Sequence, residues 1–118
     1  MRTITIVGGY LEDINRYYAE YTINNGDLLI RTSKVYGYTP HLESESLSLR
    51  MGYIKALEHA LGWVSSNNIS KVTVICDRLD LLEPLFDRKL SNYPEIVSAR
   101  KYVKDISKHV KINYISGV

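Results

Sequence analysis

Along this chain the hydrophobic positions change period several times, and each change marks an element. Residues 2–10 alternate weakly and then run apolar at Ile4, Ile6 and Val7, which predicts a strand closing on a Gly8-Gly9 turn. Two β-rich runs in "RYYAEYTINNGDLLIRTSKVYGY" flank Asn24-Asn25-Gly26-Asp27. Asn and Gly accept positive φ, so these runs predict a hairpin of two antiparallel strands. After the loop "TPHLESES", Leu47, Met51, Ile54, Leu57, Leu61 and Val64 recur at three- and four-residue steps, and Leu49, Tyr53, Ala56 and Ala60 widen the stripe. That spacing predicts a long central helix, stopped between Ser65 and Asn68.

A fourth strand follows in "KVTVICD". Asp80 and Glu83 stand at capping-box spacing and Pro84 is tolerable in a first turn, so a short helix through Leu90 is expected. From Pro94 a further helix places Ile96, Ala99, Val103, Ile106 and Val110 on one side, with Lys101, Lys104, Lys108 and Lys111 on the other. "VKINYISGV" reads as a last strand. Three strands, a helix, a strand, two helices and a strand make a mixed α/β sheet with helices packed on its faces, one domain over residues 1–118.

Asp77 stands out in this pattern. Val72, Val74 and Ile75 read as sheet interior, where an unpaired charge costs several kcal/mol, so Asp77 belongs at the sheet's edge. Carboxylates at the carboxyl ends of strands often carry function.

Composition narrows the class. A chain of 118 residues, 45% of them hydrophobic, supports one core. No stretch approaches the roughly 20 apolar residues of a membrane span, and the N-terminus turns polar too early for a signal peptide, so a cytoplasmic location is expected. Cys76 is the only cysteine, which excludes an internal disulfide, and no Cys/His spacing suggests zinc. Net charge is only +2, yet seven Lys or Arg lie between Arg88 and Lys111 against Glu95 and Asp105. Solvated amphipathic helices carry such stripes, and so do surfaces that meet phosphates.

The order of elements, "ALEHAL" in the central helix, the "VTVICDRLDLLEPL" step and the terminal "VKINYISG" together resemble a ribonuclease H-type domain over nearly the whole chain. The resemblance implies a five-stranded sheet in the order 3-2-1-4-5. It also implies two divalent metal ions, usually Mg²⁺, held by four carboxylates that stabilise the attacking and leaving oxygens of a phosphodiester. Asp77 in "VICDR" matches the strand-four acid of that family. Gly8 stands where the metal-bridging aspartate belongs, and Leu49 falls on the glutamate position of the central helix. The sequence reaches Ile115-Ser116-Gly117-Val118 directly after the last strand, so the family's histidine loop and final acidic helix are expected to be absent. Glu45, one turn before Leu49, and Glu12 and Asp13 beyond the first strand are the substitute carboxylates available to Asp77.

The expectation is therefore a ribonuclease H-like domain without catalysis, which requires no cofactor and offers at most a weak Mg²⁺ or Mn²⁺ site at Asp77. Its role is nucleic-acid binding or structural. Lys101, Lys104, Lys108 and Lys111, helped by Arg100, would release counterions from phosphates without reading sequence. Inactive copies of this fold serve as connecting or tethering domains in mobile elements, plasmids and viruses, and the resemblance extends to such a source. Two alternatives remain: a divergent nuclease acting on RNA/DNA hybrid or another nucleic acid through Asp77 and Glu45, and a homodimer. Tyr17, Tyr18, Tyr21, Tyr36 and Tyr38 cluster in the hairpin strands, where they suit cross-strand packing and a subunit interface.

Overall fold

In the computed structural model, residues 1–14, 16–36 and 45–117 are described, the side chains of Glu45 and Ser46 excepted. Tyr38, His41 and Glu43 lie outside the described residues. Strands β1 (Arg2–Leu11), β2 (Arg16–Asn25) and β3 (Leu28–Tyr36) precede helix α1 (Glu45–Ser66); β4 (Lys71–Cys76), a 3-10 helix (Leu79–Leu85), α2 (Pro94–Ile106) and β5 (Lys111–Ser116) follow. They form a five-stranded sheet in the order β3-β2-β1-β4-β5. β1, β2 and β3 pair antiparallel, whereas β4 pairs parallel to both β1 and β5. Tight turns serve the first three strands, and the parallel pairs need the crossovers that α1 and α2 supply.

The hairpin turns where its composition predicts. Asn25 pairs with Leu28, and Gly26 takes a φ of 61° that a side chain would resist. At the end of α1, Asn68 adopts a φ of 57°, the left-handed conformation that closes a helix.

Alternation along the strands decides which face is buried. Ile4, Ile6, Ala19, Tyr21, Ile23, Val72, Val74 and Cys76 point to one side and pack beneath Met51, Ile54, Leu57, Leu61 and Val64 of α1. Each such buried aliphatic side chain contributes about 1.5–3 kcal/mol of transfer free energy. α2 docks on α1 and on the 3-10 helix through Ile96, Ala99, Val103 and Ile106. The described helices thus share one face of the sheet. On the other, Val7 and Ile115 are exposed.

Two local expectations change. β1 does not turn at Gly8-Gly9; it continues to Leu11, with Gly8 opposite Ala19 and Gly9 opposite Tyr18. The glycines make room rather than a turn. A Cβ on Gly8 would meet the Tyr53 ring of α1, and one on Gly9 would meet the Tyr18 ring on the opposite face. The helix after β4 is a 3-10 helix that ends at Leu85, not Leu90, and Asp80 does not cap it. Its carboxylate is taken by Arg78, whose Nε and Nη2 each donate across 3.0 Å.

Candidate functional site

Asp77 sits where β4 leaves the sheet. Its amide donates to the Ile6 carbonyl at 3.2 Å, which extends the β1–β4 pairing by one residue and sets the side chain at the carboxyl ends of the two central strands. The residue is exposed, so its charge stays at the rim. The Tyr53 hydroxyl donates to Asp77 Oδ1 at 2.6 Å.

Tyr53 is 1% exposed. Burial, then the Asp77 hydrogen bond, push its phenol far above the ordinary tyrosine range, so it remains a proton donor. Its ring lies against Gly8, and a Cβ there would fall within 2.5 Å of Tyr53 Cε1. A side chain at position 8 and the Tyr53 ring therefore compete for one space. Leu49, one turn earlier on α1, lines the same small cleft with Gly8, Gly9, Tyr10, Tyr53 and Asp77. Asp77 is the only acid among its described lining residues.

This donor set does not fit a two-metal centre. Among the described residues no three His, Cys, Asp or Glu side chains come together. Glu12 and Asp13 are exposed in a 3-10 turn after β1. Glu45 opens α1, and its side chain lies outside the described residues. Cys76 is buried, and burial raises its thiol to about 11, so it is an inert core group.

The cationic residues divide into different environments. Arg100 is turned inward: Nε and Nη2 donate to the Pro84 carbonyl at 3.0 and 2.6 Å, and Nη2 donates to Ser91 O at 3.1 Å. It ties α2 to the 3-10 helix and to the segment after it. Lys108 pairs with Asp105 at 3.5 Å, both exposed. Lys101, Lys104 and Lys111 are exposed and make no ion pair among the described residues. Lys104 and Lys111 join Arg88 and Arg100 around a groove of about 750 Å³ between the 3-10 helix, α2 and β5. No acid lines it.

Two groove residues escaped the sequence reading. Phe86 is 52% exposed and meets Tyr114 edge to face at 4.7 Å between centroids. The Tyr114 hydroxyl is enclosed without a hydrogen-bond partner among the described residues, and burial raises its phenol to about 12. The available signal for Phe86 was a lone phenylalanine beside Asp87-Arg88-Lys89. For Tyr53 there was none, because a tyrosine on an apolar helix stripe reads as core.

The hairpin tyrosines pair within the chain. Tyr10 and Tyr17 lie 4.8 Å apart, and Tyr18 meets Tyr36 edge to face at 6.4 Å. Lys34 covers Tyr18 and Arg16 covers Tyr36. Tyr21 is core, its hydroxyl accepting from Arg31 Nε.

No protein-family model matches this sequence, and a search of the curated proteins found no match. The solved structures do match. A ribonuclease H1 from the halophilic archaeon Halobacterium salinarum aligns over 99% of this chain and 84% of its own, at a TM-score of 0.66 and 12% identity. The N-terminal ribonuclease H domain of a Mycobacterium tuberculosis protein aligns over 99% and 86%, at 0.68 and 14%. This chain has the ribonuclease H fold. A third structure of that fold, the compost-derived LC11 ribonuclease H1 in complex with an RNA/DNA hybrid, aligns over 98% and 84%, at 0.63 and 13% identity. Within the ribonuclease H fold the Asp77 cleft lies at the carboxyl ends of β1 and β4, closed by a tyrosine and a leucine. No described helix of the chain is long and apolar enough to cross a membrane.

Proposed function

We propose that this chain is a ribonuclease H-fold domain that does not cleave nucleic acid and binds it through the cationic flank formed by α2 and β5. The observation that carries this reading is the Tyr53 ring, packed against Gly8 with its hydroxyl on Asp77. A bridging carboxylate cannot enter from β1 while that ring is present. Asp77, the one acid among the described residues of the cleft, already accepts a hydrogen bond. No cofactor is then required, and Asp77 alone offers Mg²⁺ or Mn²⁺ one occupied carboxylate, a weak site.

Binding is supported by charge. Arg88, Lys101, Lys104 and Lys111 stand exposed on one flank, and an RNA/DNA hybrid is the ligand of one structure of this fold. Contacts of this kind neutralise phosphates without reading bases. Arg100 contributes by position, since its donors are committed to backbone carbonyls.

Labelled RNA/DNA hybrid, duplex DNA and single strands are incubated with the protein and with Asp77→Asn, in Mg²⁺ and then in Mn²⁺. The expected result is an uncut, salt-sensitive shifted band that Asp77→Asn leaves unchanged. Metal-dependent cleavage that disappears in Asp77→Asn would overturn the proposal in favour of a divergent nuclease.

A further inference from the structure

We infer that the groove between the 3-10 helix, α2 and β5 holds an unstacked nucleotide of a single-stranded nucleic acid, its base on Phe86 and its phosphates on Arg88, Lys104 and Lys111. This rests on the nucleic-acid reading above and narrows it to a strand type and a seat.

Three observations converge on that seat. The groove has an apolar floor from Leu85, Val103, Val110 and Ile112, and a rim of cations with no acid among the lining residues. A ligand that fits both is apolar and planar in one part and anionic in another, which describes a nucleotide. Phe86 is the second observation. A phenylalanine half exposed to water is held edge to face against Tyr114 rather than free to collapse, so a ring stands ready beside the cations. Base–aromatic stacking tolerates any sequence, since every base has a π-face. The third is Tyr114 itself, which lines the groove and whose enclosed hydroxyl has no partner among the described residues. A small turn of the Tyr114 ring as a base stacks on Phe86 would bring that hydroxyl to the base edge, whose donors and acceptors a phenol can use.

The same geometry separates strand types. In a duplex the bases are stacked inside and cannot reach Phe86, so a duplex meets only the rim cations. A single strand can splay one base into the groove while its backbone stays on Arg88, Lys104 and Lys111. The tyrosine surface of the hairpin is a weaker stacking platform because Lys34 and Arg16 already lie over its rings.

The test is fluorescence anisotropy with a labelled single strand and a labelled duplex of equal length, at fixed salt, on the intact chain and on Phe86→Ala, Phe86→Trp and Lys104→Ala/Lys111→Ala. Phe86→Ala is expected to weaken single-strand binding about tenfold and leave duplex binding unchanged. Phe86→Trp should retain affinity, with an added tryptophan emission, read above that of Trp63, quenched as the strand binds. The lysine pair should weaken both ligands. Equal effects of Phe86→Ala on both ligands, or none on either, overturn the inference while nucleic-acid binding stands. If neither ligand binds, the inference falls together with the reading beneath it. Displacement of the strand by polyglutamate as readily as by unlabelled strand, with Phe86→Ala silent, would assign the groove to an acidic peptide instead.

Discussion

The Tyr53 hydroxyl lies 2.6 Å from Asp77 Oδ1 and joins the centre of α1 to the tip of β4. The two residues stand 24 apart in sequence, and the pairing exists because α1 packs over β2 and β1, where Gly8 leaves room for the Tyr53 ring to reach the tip of β4. Removing only the hydroxyl tests what it contributes. Tyr53→Phe keeps the ring and leaves an exposed carboxylate that water can solvate. A loss of about 1 kcal/mol is expected, read as a midpoint shift in urea unfolding with unchanged slope.

Gly8 and Tyr53 should behave as a coupled pair. A methyl at position 8 meets the ring, so Gly8→Ala is expected to cost about 1–3 kcal/mol by overpacking. Tyr53→Ala alone, which empties a fully buried aromatic site, should cost about 3–5 kcal/mol. The double variant should fall well short of the sum in a denaturation cycle; strict additivity would mean that the two do not share space. Gly8→Asp with Tyr53 intact should gain no Mg²⁺-dependent cleavage in a hybrid-digestion assay.

Alkaline pH should unfold the protein by a known route. Burial raises Cys76 from 9.0 to about 11 and Tyr114 from 10.0 to about 12, and raises Tyr53 further still. A folded-state pKa above the unfolded value means that the unfolded chain releases its proton first. The stabilisation is whole below pH 9 and is lost as pH rises through the folded values. Unfolding free energy measured at pH 8, 9.5 and 11 should decline stepwise, and Tyr53→Phe should lessen the decline above pH 10.

Arg100 and Lys101 are neighbours with opposite expected behaviour. Arg100→Met removes three hydrogen bonds to the Pro84 and Ser91 carbonyls and should lower stability by about 2 kcal/mol. Lys101→Met is solvent-facing and should stay within about 0.5 kcal/mol. Thermal melts of the two proteins separate the roles.

Salt dependence reports the number of phosphates met. Replacing Lys101, Lys104 and Lys111 by Ala one at a time should reduce the slope of log affinity against log salt by about 1 for each phosphate that is no longer neutralised. Lys108→Ala, which removes a residue paired with Asp105, should change it less.

The hairpin, the span of α1 and the inward face of α2 were legible in the sequence because each follows from a local period, whereas the strand order was implied only by the family resemblance. Apolar alternation at Ile4 and Ile6, the Gly26 turn and the Leu57, Leu61, Val64 steps are properties of neighbouring residues. The place of Asp77 at a strand tip was legible for the same reason, and the resemblance alone set Gly8 and Leu49 at positions that are carboxylates in the family. Only the tertiary structure decided what surrounds them. Whether Gly8-Gly9 is a turn or a space for two rings depends on Tyr53 and Tyr18 arriving from α1 and β2, on opposite faces of one strand. Whether Asp80 caps a helix depends on an arginine winning its carboxylate. Arg100 and Lys104 sit in one basic run, yet packing buries the donors of one and leaves the other at a groove's rim beside Phe86. Period and composition report which residues prefer water. They do not report which distant side chains reach the same space, and at both the cleft and the groove that contest determines the chemistry.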